Sequence, residues 1–131
     1  MIDDAQLAAW LTAVPTALTV QFQVGPYRPE FDRGDLVGLV TSTTGPGLIE
    51  DGMWDVVGFE VLILGRDRDQ SQLKTSAYQI DTAIVLGDYP AALWGGWVRS
   101  AYRSGSGPVA QQLDEHQRQM FSCTYLAEVS V

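Results

Sequence analysis

Apolar residues recur along this chain in two rhythms, one near the helical period and one of period two, and the switches between them predict the elements. Leu7, Ala8, Trp10, Leu11 and Val14 form a stripe of roughly helical spacing, with Asp3 or Asp4 placed to cap its start and Pro15 to stop it. A helix over about 3–14 is expected. From Thr16 to Val24 the rhythm changes: Leu18, Val20, Phe22 and Val24 fall on one side, Thr19, Gln21 and Gln23 on the other, which predicts a strand or extended arm. Gly25-Pro26-Tyr27-Arg28-Pro29 then breaks regular structure, because each proline lacks a donor and restricts its predecessor, so a loop is expected to about Asp35. Leu36 to Thr44 alternates again and predicts a strand ended by Gly45-Pro46-Gly47.

The strongest unit runs from Trp54 to Leu86. Val56 to Leu64 is rich in β-branched and aromatic residues and reads as a strand. After the charged connection Gly65-Arg66-Asp67-Arg68-Asp69, Leu73, Ala77, Ile80 and Ile84 recur at helical spacing, with Lys74, Gln79 and Asp81 falling largely elsewhere. A helix over about 71–86 is expected, closed by Gly87 at its C-terminal cap. Trp97 to Tyr102 predicts a further strand with Arg99 and Arg103 at polar positions, and Ser104 to Pro108 a turn. Val109 to Gln119 is polar. From Met120 onward Phe121, Cys123, Tyr125, Ala127 and Val129 alternate with Ser122, Thr124, Leu126, Glu128 and Ser130, predicting a closing strand with one buried face, on which Cys123 is a small apolar filler. The expected fold class is α+β: a small, mostly antiparallel sheet with two helices on one face, in a single domain over 1–131.

Composition narrows the functional classes. At 131 residues and 46% hydrophobic the chain is long and apolar enough to bury a core, and no run approaches the length of a membrane span. The acidic start Met1-Ile2-Asp3-Asp4 lacks the basic region of a secretory signal, so no export is expected. One cysteine excludes an intramolecular disulfide. The net charge of −8 repels phosphate backbones, so sequence-specific nucleic-acid binding is not expected; the same charge serves solubility, or a protein that lets DNA pass without sticking.

Candidate chemistry is sparse. With one histidine and one cysteine, a nucleophile-base pair would need His116 and Cys123, with no third orienting group indicated. Asp114-Glu115-His116 is a poor metal set, because neighbouring side chains point apart and no second histidine exists. No phosphate-loop pattern occurs. No catalytic residues, metal or cofactor are expected. Trp94 and Trp97 around Gly95-Gly96 could stack a sugar or base, but such residues are more often core filling or interface anchors. The apolar residues Leu48, Ile49, Met53 and Trp54 in the expected loop over 45–55 either tuck back onto the domain or mark a contact surface. Arg66 and Arg68, alternating with Asp67 and Asp69, pair either across a subunit boundary or within their own loop.

The order of these elements, with Phe59-Glu60-Val61 leading into Gly65-Arg66, the helix faced by Ala77 and Ile80, and Arg118 before Phe121-Ser122-Cys123-Thr124-Tyr125, resembles the tail-terminator (minor capsid, head-tail joining) proteins of long-tailed bacteriophages. The resemblance covers nearly the whole chain in element order; its motifs are diffuse, and Trp94-Gly95-Gly96-Trp97 and Gln117 depart from the family pattern. It implies a non-catalytic ring, hexameric in the family, that caps the tail tube and joins it to the head while DNA passes through. The implied partners are other copies of the chain, the tail-tube protein and a neck or connector protein, in the virion after assembly in the host cytoplasm. On that reading Leu48, Ile49, Met53, Trp54, Arg66, Arg68, Trp94 and Trp97 supply interface candidates, and Glu30, Asp32, Asp35, Glu50, Asp51 and Asp55 candidates for an acidic lumen. Two other classes stay open: a different neck or head-completion adaptor, and a small-ligand-binding domain with Trp94, Trp97 and Tyr102 in a pocket.

Overall fold

The structure, a computed structural model, describes residues 2–26, 36–48, 54–65, 71–105, 107–111 and 119–130, with side chains at 44–48, 71 and 111 left aside. Among the described residues two helices and seven strands follow in the order α1 (Asp4–Thr12), β1 (Val20–Val24), β2 (Leu36–Leu48), β3 (Trp54–Leu64), α2 (Ser71–Val85), β4 (Ala91–Leu93), β5 (Gly96–Arg103), β6 (Val109–Gln111) and β7 (Met120–Ser130). The strands form one sheet in the order β1-β2-β3-β7-β5-β4, with β6 added to β7. Every pairing is antiparallel except β1 with β2. This is the expected α+β class.

Both helices lie on one face of the sheet, α1 over β1 and β2, and α2 across β5, β3 and β7. Leu7 and Leu11 of α1, Leu73, Ala77, Ile80 and Ile84 of α2, and the inward residues Phe59, Val61, Ile63, Cys123, Tyr125, Ala127 and Val129 share a single buried cluster. The helical stripe of α2 and the alternation of β7 are therefore the two periodic signals that made the core. Asp3, not Asp4, is the N-cap of α1, its carboxylate accepting the Gln6 amide at 3.1 Å.

Three local expectations are corrected. Strand β1 starts at Val20 rather than Thr16, because Thr16 turns back to donate to the Leu18 carbonyl and the amides of Ala17 and Leu18 are taken by Gln79 and Ser76 of α2. Strand β2 runs through Gly45-Pro46-Gly47 to Leu48; a shift of register between Thr43 and Gly47 absorbs the irregular residues, as a bulge does. Gly87 is not a left-handed cap. A Cβ there would lie 2.8 Å from the Tyr89 ring, so the glycine serves close packing of the chain after α2. The Ala91 to Trp97 stretch is a hairpin: Leu93 pairs with Gly96, and the two loop residues Trp94 (φ 56°) and Gly95 (φ 88°) both take positive φ, as the mirror-image two-residue turn requires.

Candidate interaction surfaces

The sheet has two faces of different chemistry, and period two decides which residue meets which. On β3 the residues Phe59, Val61 and Ile63 point to the helices, which leaves Trp54, Val56, Glu60, Leu62 and Leu64 on the other, helix-free face. Register extends that face across the neighbours. Glu60 stands between Thr41 and Thr124, and Leu62 between Leu39 and Ser122. Leu126 stands between Gly58 and Tyr102, and Glu128 between Val56 and Ser100.

Strand β5 breaks strict alternation. A register shift between Val98 and Ser100 lets Val98 and Ala101 both point into the core and turns Arg99 outward. There the Arg99 guanidinium ion-pairs with Glu128, with Nε at 2.7 Å, and lies 4.3 Å from the Trp54 ring centroid. A planar cation sandwiched between a carboxylate and an aromatic face gains from both contacts. The Trp97 amide donates to Ser130 Oγ at 3.3 Å, and Ser130 lies opposite Trp54, so both tryptophans flank the end of β7. Trp97 is 46% exposed.

On the helix face a second arginine of the same strand does different work. Arg103 donates to the Asp81 carboxylate through Nε at 2.8 Å and also through a terminal nitrogen, and the Tyr125 hydroxyl donates to the same group at 2.8 Å. Asp81, expected among the polar positions of α2, is 1% exposed. The correction follows from topology, which brings Arg103 and Tyr125 opposite one another on β5 and β7 beneath the helix. The hydrogen bond to Asp81 raises the Arg103 pKa, and burial raises those of Tyr125 and Cys123.

Trp94 is also corrected. Expected among exposed interface residues, it is 3% exposed and meets Trp10, Phe59 and Tyr89 edge-on at 5.4, 5.7 and 6.2 Å between centroids. Trp94 and Trp97 therefore sit on opposite sides of the sheet, and Trp94, Trp97 and Tyr102 do not line one pocket. The turn conformation is the cause: a two-residue hairpin swings Trp94 under the sheet edge, where the Asp3 amide donates to its carbonyl at 2.7 Å.

Of the remaining sequence-based candidates, Leu48 and Asp55 are paired at one end of the sheet, beside Trp54 and Trp97. Ile49, Met53, Arg66, Arg68, Glu30, Asp32, Asp35, Glu50 and Asp51 lie outside the described residues. Residues that periodicity did not single out are Arg99, Glu128 and Glu60 on the helix-free face and Lys74 and Tyr78 on α2. Arg99 and Glu128 occupy ordinary polar positions, and only strand pairing unites them. Tyr78, 43% exposed, lines with Lys74, Thr75, Thr82, Ala83 and Pro15 an open groove of about 590 Å³ on the solvent side of α2. Among the described residues no group of three or more His, Cys, Asp or Glu could hold a metal ion. No described helix is long and apolar enough to cross a membrane.

No protein-family model and no curated protein matches the chain. Solved structures do. A chain from the virion of a native gene transfer agent (GTA) particle shares this fold at a TM-score of 0.58 and 15% identity, over 98% of this chain and 87% of that one.

Proposed function

We propose that the chain is a structural protein of a phage-like virion, a tail-terminator-like subunit without catalytic activity that forms a ring at the end of the tail tube, through which DNA passes. The observation that carries this reading is the fold shared with a GTA virion chain across almost the whole length of both. Two further features support it. The described residues place their buried titratable groups in packing contacts: Asp81 accepts from Tyr125 and from the partly exposed Arg103, and Cys123 lies beside them. The net charge of −8 suits a channel that DNA crosses without binding.

Mass measurement of the purified protein, alone and with tail-tube protein, tests the reading. A ring-sized species, or a complex with the tube, is expected. A strict monomer that joins no tube at any concentration overturns it, and co-purification with portal rather than tube protein would make the chain a neck adaptor instead.

A further inference from the structure

The two outward surfaces of this two-layer fold lie on opposite sides, and their charges complement each other. On one side is the groove along α2, with the exposed ring of Tyr78, the small side chain of Ala83 and the ring of Pro15, and with Lys74 at its edge. Lys74 is the only lysine of the chain, in a protein of 16 acids and 8 bases. It has no ion-pair partner among the described residues. On the other side is the helix-free sheet face. Of the described acids, Asp3 caps α1, Asp4 accepts from Ser42, Asp81 binds Arg103 and Tyr125, and Glu128 binds Arg99. Asp55, Glu60 and Asp88 are left without such a partner among the described residues, and of these only Glu60 lies on the helix-free sheet face. Glu60 is exposed at the middle of the central strand β3, flanked by Thr41 and Thr124.

We infer that this chain binds a second copy of itself head to tail, the α2 groove of one subunit receiving the helix-free sheet face of the next, with Lys74 of the first ion-paired to Glu60 of the second. The inference rests on the ring reading above and assigns it a lateral interface. Two arguments select this occupant. A surface that pairs with the opposite side of its own copy is heterologous, the class of contact that builds rings where the rotation between copies closes and open filaments where it does not. On the sheet face Arg99 and Glu128 neutralise each other, which leaves Glu60 as the unbalanced charge there among the described residues and makes the unpaired Lys74 of another copy its complement. Leu39, Leu62, Leu126 and Tyr102 supply the apolar contact around Glu60.

Having one lysine makes the test direct. The assembled wild-type protein is treated with a carbodiimide, which joins an ammonium to a carboxylate in contact, and the linked peptides are mapped by mass spectrometry. The expected product is a Lys74–Glu60 link between subunits that disappears in Glu60→Gln. Either Lys74→Glu or Glu60→Lys alone should weaken self-association about tenfold or more, and the double reversal should restore it. An oligomer in which Lys74 stays as open to acetylation as in the dissociated chain, or whose assembly tolerates both single reversals, overturns this interface while leaving the ring reading standing. A chain that stays monomeric alone and with tube protein overturns both.

Discussion

Arg99 and Arg103 are four residues apart on the same strand, and each binds one carboxylate, yet they serve opposite faces of the sheet. Arg103 reaches under α2 to a buried aspartate that Tyr125 also holds. Arg99 lies on Trp54 beside a partly exposed glutamate. Breaking the first pair leaves a charge in a dry environment, whereas breaking the second returns both groups to water. The difference separates the two faces: the helix side carries stability, and the helix-free side is the one proposed to meet another copy of the chain. Each substitution below asks whether that division holds.

The largest loss is expected at Trp94. Its ring fills the space between Trp10, Phe59 and Tyr89, so Trp94→Ala should cost about 3–5 kcal/mol in the unfolding free energy, as large aromatic deletions in cores do. Denaturant titration measures it. Trp94→Phe should cost less, because the buried indole N–H has no hydrogen-bond partner among the described residues and is removed with the ring. If Trp94→Ala matched wild type in stability while impairing assembly, the assignment of this residue to the core would fail.

Next is Arg103→Met, which keeps the aliphatic stem and deletes the guanidinium. Asp81 then retains only the Tyr125 hydroxyl among its described partners, and a buried carboxylate short of partners is costly. Because the Arg103 side chain is itself 39% exposed, the expected loss is discounted to roughly 2–3 kcal/mol. Unfolding midpoints of Arg103→Met and of the double variant with Asp81→Leu separate the terms. The double variant should recover part of the loss, since no charge is then left buried.

These two sites also show what the sequence could and could not disclose. The stripe of Leu73, Ala77, Ile80 and Ile84 and the alternation from Cys123 to Val129 were legible because one buried face imposes its period on the chain. Asp81 was not, since a carboxylate in a helix reads as solvated until a distant strand supplies Arg103 and Tyr125. Trp94 hid for another reason. Gly95-Gly96 marks a turn, but only the two-residue geometry with positive φ at Trp94 sends its ring inward while Trp97 stays outside. The bulge at Arg99 was equally silent, because a one-residue slip exchanges faces without leaving a periodic trace. The helix-free face is polar and mixed, so its period carries little information, and its membership came from pairing alone.

A smaller, pH-dependent effect belongs to the helix side. Burial pushes the Tyr89 pKa from 10.0 up to about 12, and it raises those of Cys123 and Tyr125 as well. In each case the unfolded chain releases its proton first, so above the ordinary pKa the unfolded state holds fewer protons and stability falls as pH rises. For Tyr89 the loss runs from about pH 10 to about pH 12. Urea midpoints across that window should decline less steeply in Tyr89→Phe. That variant should also be somewhat less stable at neutral pH, having lost the bond from the hydroxyl to the Ile84 carbonyl. An unchanged slope would remove Tyr89 from the account and leave the decline to Tyr125 and Cys123.

The smallest effect on stability is expected on the other face, and it decides the comparison. Arg99→Ala removes a half-exposed ion pair and its contact with Trp54, so the unfolding free energy should fall by less than about 1 kcal/mol. The same substitution leaves Glu128 uncompensated and adds one negative charge to a surface on which Glu60 is otherwise the unbalanced charge among the described residues. In a chain already at −8, that change should weaken contact between copies more than it weakens the fold. Measuring the unfolding midpoint and the oligomer mass on the same variant separates the two outcomes. Near-normal stability with impaired assembly supports the division of labour between the faces. A large loss of stability with assembly intact would mean that the helix-free face, and the Arg99–Glu128 pair with it, holds the fold rather than a neighbour.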